Sequence, residues 1–210
     1  KRDFHKRFPA FQSLAYKNKF LDRPVVNEYL DMLKRMMLFL DKNLVFKPAQ
    51  AKTLVSCDVD MPYESYTRSF NKAIYKIGGD LIKRKSLGQG VQTFANYLFT
   101  KLKIFSFDKI DTFDWIMNVN ENVGNKVCFY FLVENTVPEF DAYYQIYEPR
   151  IRQLLKKIHN RGHEIGLHGS YSSYNDNLQI EKQVKILKNI LNEENIVKKR
   201  IGTRQHYLRW

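Results

Sequence analysis

The sequence predicts an α/β fold built on a parallel sheet or barrel, and three observations carry that expectation. Residues 126–133, KVCFYFLV, form a continuous apolar run between a glycine-containing turn and Glu134-Asn135, the pattern of a strand buried on both faces beneath helices. Strand patterns and amphipathic-helix patterns alternate from that run onward. The 210 residues contain no internal repeat or low-complexity linker, and 44% of them are hydrophobic, enough for a sizeable core.

Residues 1–50 read as a basic helical extension. The first 21 mix basic and aromatic residues around Pro9 without regular spacing, which suits wrapping over a neighbouring domain better than stacking on bases. Asp22 is placed to cap a helix with Pro24 in its first turn and apolar residues at Val26, Tyr29, Leu30, Leu33, Met36, Met37 and Leu40. The two methionines are expected to fill core space. Lys47-Pro48 then breaks the pattern.

Residues 53–59, TLVSCDV, read as a central strand because their lead-in is strongly apolar. Three helical patterns follow. Phe70, Ala73, Ile74 and Ile77 keep helical spacing up to Gly78-Gly79, which is expected to stop the run. Val91, Phe94, Ala95, Leu98 and Leu102 make the second, and Phe113, Ile116 and Met117 a shorter third before Gly124. Beyond the 126–133 strand, Phe140, Tyr143, Tyr144 and Tyr147 fall on a loop, where they can stack on a sugar ring or pack on the adjacent helix. Ile151, Leu154, Leu155 and Ile158 form a helical stripe ended by Gly162. A short strand over 164–167 delivers His168 to its carboxyl end, Ile180, Val184, Leu187 and Leu191 mark another helix, and a last strand lies near Ile201.

The net charge of +13 suits a polyanion, but lysine dominates and no dense basic tract appears. Residues 1–50 hold eleven Lys and Arg against five Asp and Glu, so the excess concentrates in the first quarter of the chain. A solvated lysine-rich face accounts for that excess better than nucleic-acid binding does. Cys57 and Cys128 lack any metal-ligand spacing and read as buried core residues of two strands. No apolar run approaches the roughly 20 residues of a membrane span, and no signal peptide opens the chain; with unpaired cysteines this favours the cytoplasm. The start at Lys1, with no initiator methionine, is expected of a piece of a longer protein.

The chemistry-bearing residues gather at strand ends. Asp58 and Asp60, two apart on a strand, point to the same face and can converge on one metal or one water. A solvated strand end with Asp60 capping the next helix is the plainer reading of Asp-x-Asp. For His168 alone, a structural role is likewise the plainer one.

Taken together, SCDVD at 56–60, GHEIGLHGSYS at 162–172 and GTRQHYLRW at 202–210 resemble three sequence blocks of the polysaccharide deacetylases, the NodB-homology carbohydrate esterases. The resemblance spans residues 53–210. It implies a distorted (β/α) barrel over 51–210, incomplete at its C-terminus. It also implies removal of acetyl groups from an N- or O-acetylated sugar or polysaccharide, using a divalent metal, zinc being the expected ion. Asp58 falls at the family's general-base position and Arg204 at that of the arginine orienting the base. Val59 occupies the usual ligand position, so Asp60 is expected to take over. Ser172 stands where a second histidine is usual, and His206 where a proline is usual. The ligand set expected is therefore Asp60, His168 and His206. The family's leaving-group histidine has no counterpart, since His159 lies on the polar side of a helix and His163 reads as structural. A non-catalytic glycan-binding domain is the alternative, and a basic nucleic-acid-binding protein ranks third.

Overall fold

The computed structural model of this protein describes residues 2–48, 52–105 and 108–209, in two compact units divided after Thr53. In the first, a 3-10 turn at Ala10–Gln12 leads into α1, Leu14–Lys17, whose Ser13 cap accepts a hydrogen bond from the Tyr16 amide at 3.1 Å. Helix α2 spans Val25–Leu40. Its cap is Pro24, not Asp22, and an ion pair between Arg23 and Glu28 at 2.6 Å ties down the first turn. None of its residues is buried, so Met36 and Met37 do not fill a core. Periodicity marks a face fit for burial but does not supply the surface that buries it.

The second unit opens with β1, Val55–Val59, followed by a 3-10 turn at Ser65–Arg68 and α3 at Phe70–Gly78. That α-helix ends at Gly78-Gly79, as its spacing predicts, but the chain does not turn away there. The backbone continues through Gly79–Lys83 as a π-helical turn, because glycine lowers helix stability by only about 1 kcal/mol and no proline follows to break it. Helix α4, Leu87–Lys101, begins at Ser86, whose hydroxyl accepts from the Gln89 amide. Then come α5 (Phe113–Glu121), β2 (Val127–Leu132), α6 (Pro149–Asn160), β3 (Glu164–Gly169), α7 (Asn177–Glu193) and β4 (Thr203–Gln205), which starts two residues past Ile201.

The four strands pair in parallel in sequence order, β1-β2-β3-β4. Among the described residues β1 is thus an edge strand, not a central one. Registers place Asp58 beside Tyr130 and Tyr130 beside Gly166, while His168 pairs with Leu132 and Arg204. Side chains alternate across the sheet, so odd and even residues divide its two faces. The odd face, with Val59, Phe129, Phe131, Ile165 and Leu167, is buried in one cluster with Met117 of α5, Leu155 of α6 and Leu187 of α7. The even face carries Asp58, Cys128, Tyr130, Gly166, His168 and Arg204, and both Cys128 and Tyr130 remain half-exposed there. The 126–133 strand is therefore fully covered on one face only. Cys57 and Cys128 are free and half-buried rather than core residues, Cys57 because it lies on the sheet edge and Cys128 because it lines the open face. Burial pushes both thiols up, away from the reactive thiolate.

The sheet is curled toward its even face. In a flat four-stranded sheet the edge strands lie about 14 Å apart. Here Arg204 of β4 reaches Asp58 of β1 at 3.1 Å and the Ser56 hydroxyl at 2.8 Å. Gly166 makes room inside the curl. A Cβ on Gly166 would sit 2.6 Å from the Tyr130 ring and 2.9 Å from the Gly202 carbonyl, so only bare backbone fits beneath that tyrosine.

Candidate metal centre

Asp60, His168 and His206 come together at the carboxyl ends of three strands. Asp60 follows β1, His168 is the penultimate residue of β3, and His206 follows β4. Each offers a ligand atom, and the three atoms lie within 4.8 Å of one another. Nε2 of His168 is 2.8 Å from Nδ1 of His206, and Asp60 Oδ1 stands 3.6 Å from the first and 3.8 Å from the second.

The backbone decides which nitrogens are free. His168 Nδ1 lies 3.0 Å from the Arg204 carbonyl oxygen, and His206 Nε2 lies 2.6 Å from that of Phe140. A carbonyl only accepts, so each of these nitrogens carries a hydrogen and donates, leaving the opposite ring nitrogen as a bare lone pair. The two bare nitrogens then face each other beside a carboxylate. Three such donors in contact repel unless a cation sits among them, either a shared proton or a metal ion. Histidine ligands held by carbonyls through their second nitrogen are the usual outer support of such an ion. The donor set, two imidazoles and one carboxylate, fits a three-ligand open site for a divalent metal. Burial holds His168 below the usual histidine range, which keeps its ring neutral and ready to ligate, although the carboxylates of Asp58 and Asp60 oppose that shift.

Asp58 and Arg204 form the adjoining half of the site. Arg204 Nη1 donates to Asp58 Oδ1, Nη2 donates to Ser56, and the guanidinium lies over the Tyr130 ring at 5.2 Å. Arg204 thus serves both halves, since its side chain fixes Asp58 while its carbonyl fixes His168. Ser172 stands apart. It is exposed, and its backbone amide donates to the Thr136 hydroxyl at 3.2 Å. His163 is buried and accepts from the Val127 amide at Nδ1, so that its Nε2–H donates to Glu121.

Several contributors were not legible as site residues. After His206 the backbone turns left-handed at Tyr207 and Leu208, with φ of 59° and 51°, a conformation costing a non-glycine residue about 1–2 kcal/mol. Phe140, Tyr171 and Tyr207 pack ring against ring at 4.4, 5.8 and 5.4 Å, and Tyr207 lies 4.7 Å from the His206 ring. Asp141 holds this wall. One of its oxygens accepts from Thr136 and Val137, and the other from the Tyr171 amide at 2.7 Å. The Tyr144 hydroxyl accepts from the Leu132 amide and donates to the Val59 carbonyl, tying the ends of β1 and β2 together. Of the loop aromatics, Tyr144 is therefore core, Tyr143 packs edge-on against Tyr63, and Tyr147 is exposed.

A family described as "Family of unknown function (DUF7033)" matches residues 1–42, outside the segments that carry the candidate metal ligands. No curated protein and no solved structure matches this chain. Among the described residues no helix is long and apolar enough to cross a membrane.

Proposed function

We propose that this protein is a divalent-metal hydrolase that removes acetyl groups from an N- or O-acetylated sugar or polysaccharide, on a barrel of the polysaccharide deacetylase type. One observation carries the reading: an imidazole nitrogen of His168 and one of His206 meet at 2.8 Å beside Asp60, two residues along the chain from Asp58, whose carboxylate is clamped by Arg204. Zinc is the fitting ion for this N,N,O set, and when bound it acidifies water and polarises an acyl oxygen. Asp58 is the base. Arg204 engages its Oδ1, which fixes its orientation and leaves Oδ2 to accept the proton of the attacking water. Asp60, His168 and His206 would hold the ion, and the carbonyl-set tautomers of the two histidines keep their ligand nitrogens aimed inward. The aromatic wall of Phe140, Tyr171 and Tyr207 shields the histidine side of the site from water.

The test has two arms. Metal analysis of the purified protein should find one divalent ion per chain, retained by wild type and lost from His168→Ala and His206→Ala. Acetate release from acetylated chito-oligosaccharides and acetylated xylan should depend on that ion and fall about 100-fold or more in Asp58→Asn. Absence of a stoichiometric ion from the wild type sinks the metal centre. A bound ion with no acetate release, but with retention on immobilised glycan, would turn the reading to a binding domain.

A further inference from the structure

Away from the metal centre, the helical hairpin of α3, the π turn and α4 presents a surface that is apolar and basic at once. Where the helix passes Gly78-Gly79 there is a groove of about 540 Å³ walled by Ile74, Tyr75 and Ile82, with Lys76, Lys83 and Arg84 among its lining residues. A side chain at either glycine would meet nothing within 4 Å, so the floor is open backbone that packing does not require to be bare. Tyr75 and Ile82 are 83% and 77% exposed. Helix α4 has its own uncovered stripe at Leu87, Val91, Phe94 and Leu98, spaced to lie on one helix face. Exposed large apolar groups at this density mark a contact surface.

Charge selects what covers it. Between residues 70 and 103 stand seven lysines and arginines and a single acid, Asp80. Asp80 is buried and already bound to Thr93 and Arg84. Lys72, Lys83, Lys85, Lys101 and Lys103 have no ion-pair partner among the described residues. A second copy is a poor occupant, because a two-fold contact sets like-charged surfaces against each other. Nucleic acid answers the charge but has no aliphatic surface to match Ile74, Ile82, Leu87 and Val91. A bilayer with anionic headgroups answers both, taking the apolar side chains into its headgroup boundary and the lysines onto its phosphates. We infer that this hairpin docks the protein on the surface of an anionic membrane without spanning it.

The inference stands independently of the metal centre, and flotation of the whole protein with lipid vesicles tests it. The protein is expected to float with vesicles containing phosphatidylglycerol and not with phosphatidylcholine alone, and to be released by raised salt. Lys83→Glu should weaken partitioning about fivefold or more, and Tyr75→Asp/Ile82→Asp about tenfold or more. These positions are exposed, so an unchanged far-ultraviolet spectrum and an unchanged urea midpoint establish that the variants fold. Failure to float, or equal flotation with both lipids, overturns the inference. So does self-association of the wild type that Tyr75→Asp/Ile82→Asp abolishes, which would assign the face to a protein contact.

Discussion

The imidazoles of the site owe their tautomers to backbone carbonyls, which side-chain substitution elsewhere does not remove. His168 and His206 are therefore preorganised whether or not Asp58 and Arg204 are intact. On the proposed function, Arg204→Ala should keep a metal held by Asp60, His168 and His206, because its carbonyl still accepts from His168, but release Asp58 from its clamp. The expected outcome is unchanged metal stoichiometry with hydrolysis reduced about 100-fold, checked by metal analysis beside initial rates. Loss of the ion in that variant would show that the two halves are not separable. A second prediction follows from the burial that lowers the His168 pKa. Below about pH 6.5 the unfolded chain protonates this histidine while the folded one holds it neutral, so the unfolded state binds more protons. Stability of the metal-free protein should accordingly fall as pH drops from about 6.5 toward the folded pKa. Urea midpoints at about pH 7.5 and about pH 5.5 should differ more for wild type than for His168→Gln.

Two glycines in regular elements illustrate opposite constraints. Gly166 lies in β3 under the Tyr130 ring, and a methyl group there meets both the ring and the Gly202 carbonyl just before β4. Gly166→Ala should destabilise the protein by about 1–3 kcal/mol and, by moving Tyr130 from beneath Arg204, slow any reaction that depends on Asp58. Gly78 has helical backbone angles and open space around its Cα. Gly78→Ala should raise stability by about 0.5–1 kcal/mol. Denaturant melts of the pair check both signs. The helices were legible from their apolar spacing, and α3 ends at Gly78-Gly79, but the π turn that carries the chain on through Lys83 was not legible, because its hydrogen bonds depend on backbone geometry rather than residue type. Asp22 failed as a cap. Its side chain suits the role, but the helix begins three residues later, where Pro24 fixes the entry.

Across the second unit, one buried ion pair joins distant parts of the chain. Arg150, at the start of α6, pairs with Asp108 at 2.9 Å and lies between the rings of Tyr63 and Phe105 at 4.7 and 4.9 Å. Asp108 also accepts from the Glu64 amide, so the segment after β1, the segment before α5 and the start of α6 share one anchor. Arg150→Ala leaves Asp108 buried without its partner and should cost about 3–5 kcal/mol, visible as a lower urea midpoint with unchanged slope. Asp108→Asn/Arg150→Met should recover most of that loss, because the penalty comes from the uncompensated charge.

The sequence by itself determined the α/β alternation and the order of the blocks carrying Asp58, Asp60, His168, Arg204 and His206. These are properties of spacing and residue type, which a one-dimensional pattern retains. Tertiary structure decided which of them meet. The curl of the sheet brings its two edges within reach of Arg204, and the carbonyls of Arg204 and Phe140 choose the histidine tautomers. Neither was legible beforehand, because every residue has the same carbonyl and only the fold aims it. The same holds for the edge position of β1, the half-open face at Cys128 and the bare apolar face of α2, since burial depends on the surface that a neighbour brings.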